Sequence, residues 1–394
     1  IQMKLLILLA LVACATALVT QVRLTHIESR RIKLLKKGLW RSHLRNKLLN
    51  RSLHKFHLKS IGVQNVNDYD DVEYVGNITI GSRKNQEFSV VLDTGSANLW
   101  IPDSTCKSLD CRSKHKFDSS KSRTYVKNGT EWSVSYGDGS NAHGFLGIDT
   151  MTFGGVNEQQ LTVTKQTFGQ ATEMSGFTKD PVDGILGLGF TDLAVDDVVP
   201  PFINAINQKA VDKNMFTVWM AHRGNVRNVK GGVFTYGGYD TEHCGPEIAT
   251  VPLTMSYYWQ FLMDAVTVGS YSNKKGWEVI SDTGTSFLLG PKNIIEHIAL
   301  AIGGNIDHGN QQWTIDCGAK AANIVLTIGG HKYAIESSNY LINYGDNTCI
   351  IGIDAHDTSG WGPTWILGDT FIRQFCNMHY VTEKKIGFAK SYHY

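Results

Sequence analysis

The stretch VVLDTGSANLW, residues 90–100, returns 189 positions later as VISDTGTSFLL, residues 279–289. In each copy an apolar run wants a buried strand and ends at once on an acid, Asp93 or Asp282, followed by Thr-Gly and a small hydroxyl residue. A carboxylate placed there is costly unless it is paired, hydrogen-bonded or neutralised. A second pair of segments follows the first: VDGILGLGF at 182–190 and TWILGDTF at 364–371, apolar pairs that close on glycine. One D-T-G says little. Two, with matching flanks in matching order, point to a duplicated fold whose approximate two-fold axis brings the acidic loops face to face.

The rest of the chain agrees with such a fold. At 394 residues it is too long for one small core, so two lobes are expected. Apolar residues make up 42% and charged residues 19%, as in globular proteins with ample core. From about residue 70 the texture is short alternating runs such as VEYVGNITIG and TEWSVSYGDGS, broken by Gly, Asn and Asp. Helical stretches are few, around 200–210 and 291–302, so the body is mainly β.

The net charge of +2 hides an asymmetry. Residues 22–60 carry twelve Lys/Arg against one acid, Glu28, while residues from 61 onward balance at −10. Within 23–58, Leu24, Ile27, Leu34, Leu35, Leu39 and further leucines recur at amphipathic helical spacing. A basic arm on an acidic body is compatible with nucleic-acid binding. The start of the chain argues against that. MKLLILLALVACATA offers Lys4, an apolar run from Leu5 to Ala13 and an Ala15-Thr16-Ala17 cleavage pattern, after Ile1 and Gln2. It reads as a secretory signal over 1–17 and is too short to span a bilayer, and no later segment is expected to span one. Secretion makes the six cysteines after Cys14 disulfide candidates. No C-x-x-C occurs and the 14 histidines show no ligand spacing, so no metal and no cofactor are expected.

Two buried carboxylates a few ångström apart share one proton. One then serves as base toward a water and the other as acid toward a carbonyl oxygen. Gly95 and Gly284 allow close approach to the partner loop, Thr94 and Thr283 are placed to bond across it, and Ser96 and Thr285 to bond the outer carboxylate oxygens.

From about residue 65 to its end the sequence resembles the pepsin and cathepsin D family of aspartic proteases, for which such proton sharing is a standard property. SVSYGDGSNAHGFLG resembles the family's flap, with Tyr136, Gly137 and Asp138 at its tip and Trp100 of NLWIP as the hydrogen-bonding partner of Tyr136. VDGILGLGF, YYWQFLMDAV and WILGDTFIRQF resemble further family stretches. The resemblance implies a mainly β, bilobal, pepsin-like double-ψ architecture with pseudo-two-fold symmetry and an N-terminal helical prosegment. The expected boundaries are a signal at 1–17, a basic prosegment at 18–64, an N-terminal lobe at 65–240 and a C-terminal lobe at 241–394. It implies an aspartic endopeptidase made as a zymogen and catalysed by Asp93 and Asp282, cutting between bulky apolar residues at acidic pH. Val91, Phe177, Ile185 and Tyr258 join the flap in substrate binding. Polypeptide substrates, pepstatin-like inhibitors and the chain's own prosegment are its expected partners, with Lys55 and Lys59 reaching the acids. Neither nucleic acid nor membrane is expected, and the enzyme is read as a monomer, secreted or lysosomal.

Departures accompany the likeness. IGSRKNQEF lacks the usual proline-containing turn, Ser281 stands where an apolar residue is common, and no cysteine pair precedes the second D-T-G. Asp138 puts an acid in the flap, either a titratable group near substrate or a solvated turn residue. Cys106 and Cys111 enclose a four-residue loop, and Cys317 with Cys349 matches a family bridge. That leaves Cys244 and Cys376, each beside a stretch resembling a strand of the sheet beneath both lobes, and pairing them would close a 132-residue loop. Asn77 and Asn128 are glycosylation sequons of the expected mature chain, and Asn50 is a third within the arm.

Overall fold

The computed structural model describes residues 19–27, 30–40, 74–82, 86–136, 139–178, 181–222, 229–345, 347–356 and 363–392. The two acidic repeats become one structural unit used twice. In the first half, strand Glu87–Asp93 runs parallel to Gly184–Gly187, which pairs antiparallel with Leu99–Pro102. In the second, Trp277–Ser281 runs parallel to Trp365–Leu367, which pairs antiparallel with Leu288–Gly290. The glycine that closes each half-repeat is required by this crossing. A Cβ on Gly187 would lie 2.4 Å from the Ala97 backbone, and one on Gly368 would lie 2.0 Å from the Thr285 carbonyl oxygen. Each is pressed against the acidic loop of its own half, so no side chain fits.

Around the first unit, Tyr74–Ile80, Asn141–Phe153 and Leu161–Ser175 close a six-strand barrel, with Val126–Ser135 as an outer hairpin arm. The second unit lies in a five-stranded sheet beside two four-stranded ones. Beneath both runs a common floor, in the order Cys244–Pro252, Lys385–Ser391, Phe375–Tyr380, Met215–Met220, Val229–Tyr236 and Thr20–His26. One large apolar core, including Leu92, Phe216, Trp259, Val279 and Phe388, passes through floor and lobes. The fold is therefore mainly β and bilobal. Helices Pro201–Asn207 and Lys292–Ile302 fall where helical pattern is read in the sequence. Among the described residues no helix is long and apolar enough to cross a membrane.

The basic arm departs from its expected form. Thr20–His26 is a strand, inserted between Val229–Tyr236 and Tyr74–Ile80, and the helix is confined to Arg30–Lys36. Thr20, Val22, Leu24 and His26 are buried in alternation with less buried neighbours, which is a strand's period of two. The leucine spacing over 23–58 masks that alternation because Leu24 and Ile27 also fit a helical step. The proposed signal, residues 41–73 and with them Asn50, Lys55 and Lys59 lie outside the described residues.

All three disulfides form as paired from the sequence: Cys106–Cys111, Cys244–Cys376 and Cys317–Cys349. Cys244–Cys376 bridges two strands of the floor.

Candidate active site

Asp93 and Asp282 meet at the axis relating the two units, both almost wholly buried. Each carboxylate is cradled by its own loop. Gly95 N donates to Asp93 Oδ1 at 2.8 Å and the Ser96 hydroxyl donates to Oδ2. Gly284 N donates to Asp282 Oδ1 at 2.8 Å and Thr285 Oγ1 to Oδ2 at 2.8 Å. Each acid also lies against the other loop's glycine. A Cβ on Gly95 would fall 2.5 Å from Asp282 Oδ1, and one on Gly284 2.5 Å from Asp93 Oδ1. The two glycines are what allow the carboxyls to meet.

The threonines lock the loops together. Thr94 N donates to Thr283 Oγ1 at 3.0 Å, and Thr283 N to Thr94 Oγ1 at 3.0 Å. Their hydroxyls then donate across the axis, Thr94 Oγ1 to the Ser281 carbonyl at 2.9 Å and Thr283 Oγ1 to the Leu92 carbonyl at 2.5 Å. Four buried bonds thus obey the two-fold relation.

Burial pushes both acids above the ordinary carboxylate range, and Asp282 most, because the charge on Asp93 adds to its desolvation. Burial is opposed at Asp93 by donors from Ser96, Gly95 and the Asp282 carboxyl. The pair therefore holds one proton, with the charge favoured on Asp93. Burial, with the nearby Asp282 and Asp93 charges, pushes the Tyr258 phenol up to about 12, so it stays neutral.

Over the first loop lies an apolar cluster that gathers Val91, Trp100, Tyr136, Phe177 and Ile185, with Tyr258 packed against it. Trp100 Nε1 donates to Tyr136 Oη at 2.6 Å. Phe177 meets Trp100 edge-on at 5.2 Å and Tyr136 at 6.5 Å. Gly137 and Asp138 lie outside the described residues. Asp369 begins the short helix Asp369–Ile372, and its N–H donates to the Thr285 carbonyl at 2.8 Å, behind the second loop.

Some contributors escape the sequence reading. Ile27 of the arm is buried in the same cluster as Tyr136 and Phe177. Ile32, Leu35 and Trp40 are buried against Ile280, Phe287, Leu289, Ile350 and Ile366, next to the second loop. Only the long leucine pattern hinted at this, without saying which face is covered. Among the described residues no group of His, Cys, Asp and Glu is arranged to hold a metal ion.

Of the sequons, Asn128 is exposed, and its Oδ1 accepts from Thr130 N and Oγ1 at 3.1 and 2.6 Å. Asn77 is half-buried within strand Tyr74–Ile80, paired with Ser89.

A bilobal β fold with two carboxyls clasped between duplicated loops defines an aspartic protease. Residues 73–391 match the eukaryotic aspartyl protease family, and the chain belongs to it. It is 47% identical over 390 residues to Aspartic protease 6 of Caenorhabditis elegans, covering 99% of each chain. It is 34% identical to Pepsin II-1 of Oryctolagus cuniculus over 98% of this chain and 99% of that one. With Cathepsin D of Gallus gallus the identity is 38% over 82% of each.

Proposed function

We propose that the chain is the zymogen of an acid endopeptidase in which Asp93 is the base and Asp282 the acid, selecting bulky apolar residues at the cut. The observation that carries the reading is the reciprocal packing of each carboxyl against the other loop's glycine. It leaves one proton between two acids at the point where an extended peptide would cross the axis. Asp93 takes a proton from the attacking water as the new C–O bond forms, while Asp282 gives its proton to the carbonyl oxygen. The apolar cluster of Val91, Tyr136, Phe177 and Ile185 receives the side chain before the cut.

Residues 18–64 are the inhibitory prosegment. Its strand completes the floor, Ile27 sits in the pocket cluster and Ile32, Leu35 and Trp40 cover the second loop's flank. It carries twelve cations against a body whose charge is −10, an attraction that fades as acid protonates the body's carboxylates. Removal of 1–17 as a signal, a place in the secretory pathway, and digestive or lysosomal protein breakdown complete the reading. Asn128 is the favoured glycosylation site and Asn77 the disfavoured one.

The test is activation. The full-length chain is expected to be inactive on haemoglobin at neutral pH and to process itself between about residues 59 and 70 on acidification. The activity gained is then blocked by pepstatin and indifferent to chelators. A full-length chain already active at neutral pH would end the prosegment reading.

A further inference from the structure

We propose that the segment Cys106–His115, its first part closed by the Cys106–Cys111 bridge, is the positioning device of the apolar pocket, with Asp110 and Lys114 fixing its far wall. They would thereby set how strongly a bulky side chain before the cut is preferred. The inference rests on the pocket reading given above. That wall is formed by Phe177 and Val182, which stand between strands Leu161–Ser175 and Gly184–Gly187 and belong to neither.

The grip falls on both ends of this connection. Asp110 Oδ2 accepts the Phe177 N–H at 2.8 Å, and its Oδ1 accepts the Thr178 hydroxyl. Lys114 Nζ donates to the Val182 carbonyl at 2.5 Å. Next to these, Ser108 Oγ accepts Met174 N at 3.3 Å, and His115 N donates to Asp183 Oδ1 at 2.9 Å. Asp183 in turn accepts Ser89 N at 2.9 Å, on the strand that ends at Asp93. One short segment therefore holds the wall at both of its ends.

Asp110 is 6% exposed and Lys114 7%. Burying a carboxylate and an ammonium is costly unless each is satisfied, and here Asp110 takes the Phe177 N–H and the Thr178 hydroxyl while Lys114 donates to the Val182 carbonyl. Charge-assisted hydrogen bonds are short and directional, so they fix the backbone in a way that apolar packing does not. The Cys106–Cys111 bridge, with a Cα–Cα distance of 6.1 Å, pins the loop that presents Asp110. Because Phe177 meets Trp100 and Tyr136 edge-on, its placement is felt by the flap tyrosine.

The experiment is steady-state kinetics of the acid-activated enzyme on three peptides identical except for Phe, Leu or Ala before the scissile bond. Asp110→Asn keeps the shape and turns one acceptor oxygen into a donor. Lys114→Met keeps the stem and loses the donor. In each variant the Phe-over-Ala ratio of kcat/KM is expected to fall about tenfold, the order of a modest pocket change. The fall should appear in KM for the Phe peptide, with kcat held within about threefold. Asp110→Glu, which keeps the charge, should recover part of the ratio, and the pair Cys106→Ser with Cys111→Ser should lower it. If Asp110→Asn does not fold, Lys114→Met and the serine pair still decide. A lowered melting temperature with an unchanged ratio, or an equal loss on all three peptides, overturns the proposal. If the wild type cleaves none of the peptides, or Asp93→Asn cleaves them as well, the underlying functional reading falls too.

Discussion

The loops of Asp93 and Asp282 repeat one another almost contact for contact, yet they sit in unequal surroundings. Before Asp93 comes Leu92, part of the large apolar core; before Asp282 comes Ser281, whose hydroxyl donates to Asn377 of the floor at 2.8 Å. Above the first loop lies the hydrogen-bonded pair Trp100–Tyr136, while the flank of the second is covered by Ile32, Leu35 and Trp40 of the arm. Duplication supplies the symmetric frame that lets two buried carboxyls touch. In the proposed mechanism the asymmetry divides the work, because the Asp282 carboxyl adds a donor to Asp93 while Asp282 bears the repulsion of its neighbour's charge.

The largest effect tests the frame itself. Asp93→Asn and Asp282→Asn should each lower kcat by at least about 10⁴-fold, and the double variant should fall little further, as for groups acting as one unit. Stability against pH separates the two acids. A carboxyl raised above its ordinary 3.8 stabilises the fold below that value and loses its contribution as pH rises through the folded-state value. Melting between about pH 4 and 7 should therefore flatten more in Asp282→Asn than in Asp93→Asn. Equal flattening would remove the division of roles.

A second asymmetry is covalent. The floor strand behind Ser281 is cross-linked through Cys376 to Cys244, closing a separation of 132 residues, while Cys106–Cys111 closes a separation of 5. The chain-entropy account gives up to about 5 kcal/mol for the long loop and about 2 for the short one. Replacing Cys244 and Cys376 by serine should thus cost the more stability in urea unfolding. Amide exchange should rise first around Asn377 and Asp282. A uniform rise over both loops would show that the floor does not distinguish them.

The cross-axis threonines should behave alike. Thr94→Val and Thr283→Val each remove a hydroxyl that both donates and accepts inside the core, stranding a buried N–H. Each should cost roughly 3 to 4 kcal/mol. The two variants break different bonds, two each, so the pair should depart from the sum only through the coupling of loops in contact. A marked inequality would mean that the floor beneath Ser281 shares the load.

What was legible in the sequence was whatever recurs. The two D-T-G runs and the two apolar-Gly runs placed both acids, their glycines and threonines, and the crossing strands. The flap tyrosine and pocket residues were read from likeness to a family, and the structure gathers them with Trp100 in one cluster. The arm was misread in part because a strand and a helix both fit its first leucines, and only pairing with Val229–Tyr236 decides between them. Asp110 and Lys114 gave no signal, since Phe177, Thr178 and Val182, which they bond, lie some seventy positions away. A side chain that bonds distant backbone leaves no periodicity.

The last and smallest effect concerns the floor, where a phenylalanine and a histidine face each other across its two central strands. His379 pairs with Phe216 across the central strands, stacks on it at 4.3 Å and meets Trp259 at 4.6 Å. It is fully buried, and desolvation lowers its pKa from 6.5 to about 3. Here the sign is opposite to that of the acids. A base with a depressed pKa favours the neutral ring in the fold, so stability is full above about 6.5 and falls as the unfolded chain takes up the proton. The loss is about 1.4 kcal/mol per pH unit, or roughly 3 kcal/mol by pH 4. The buried acids and the buried histidine thus oppose each other over the range in which the enzyme is proposed to work. His379→Phe makes the two central strands alike at this layer, and in urea unfolding it should be more stable than the wild type at pH 4 and little changed at pH 7.5. An unchanged difference between the two pH values would mean that His379 takes its proton inside the folded floor, and the contrast with Phe216 would then carry no energy.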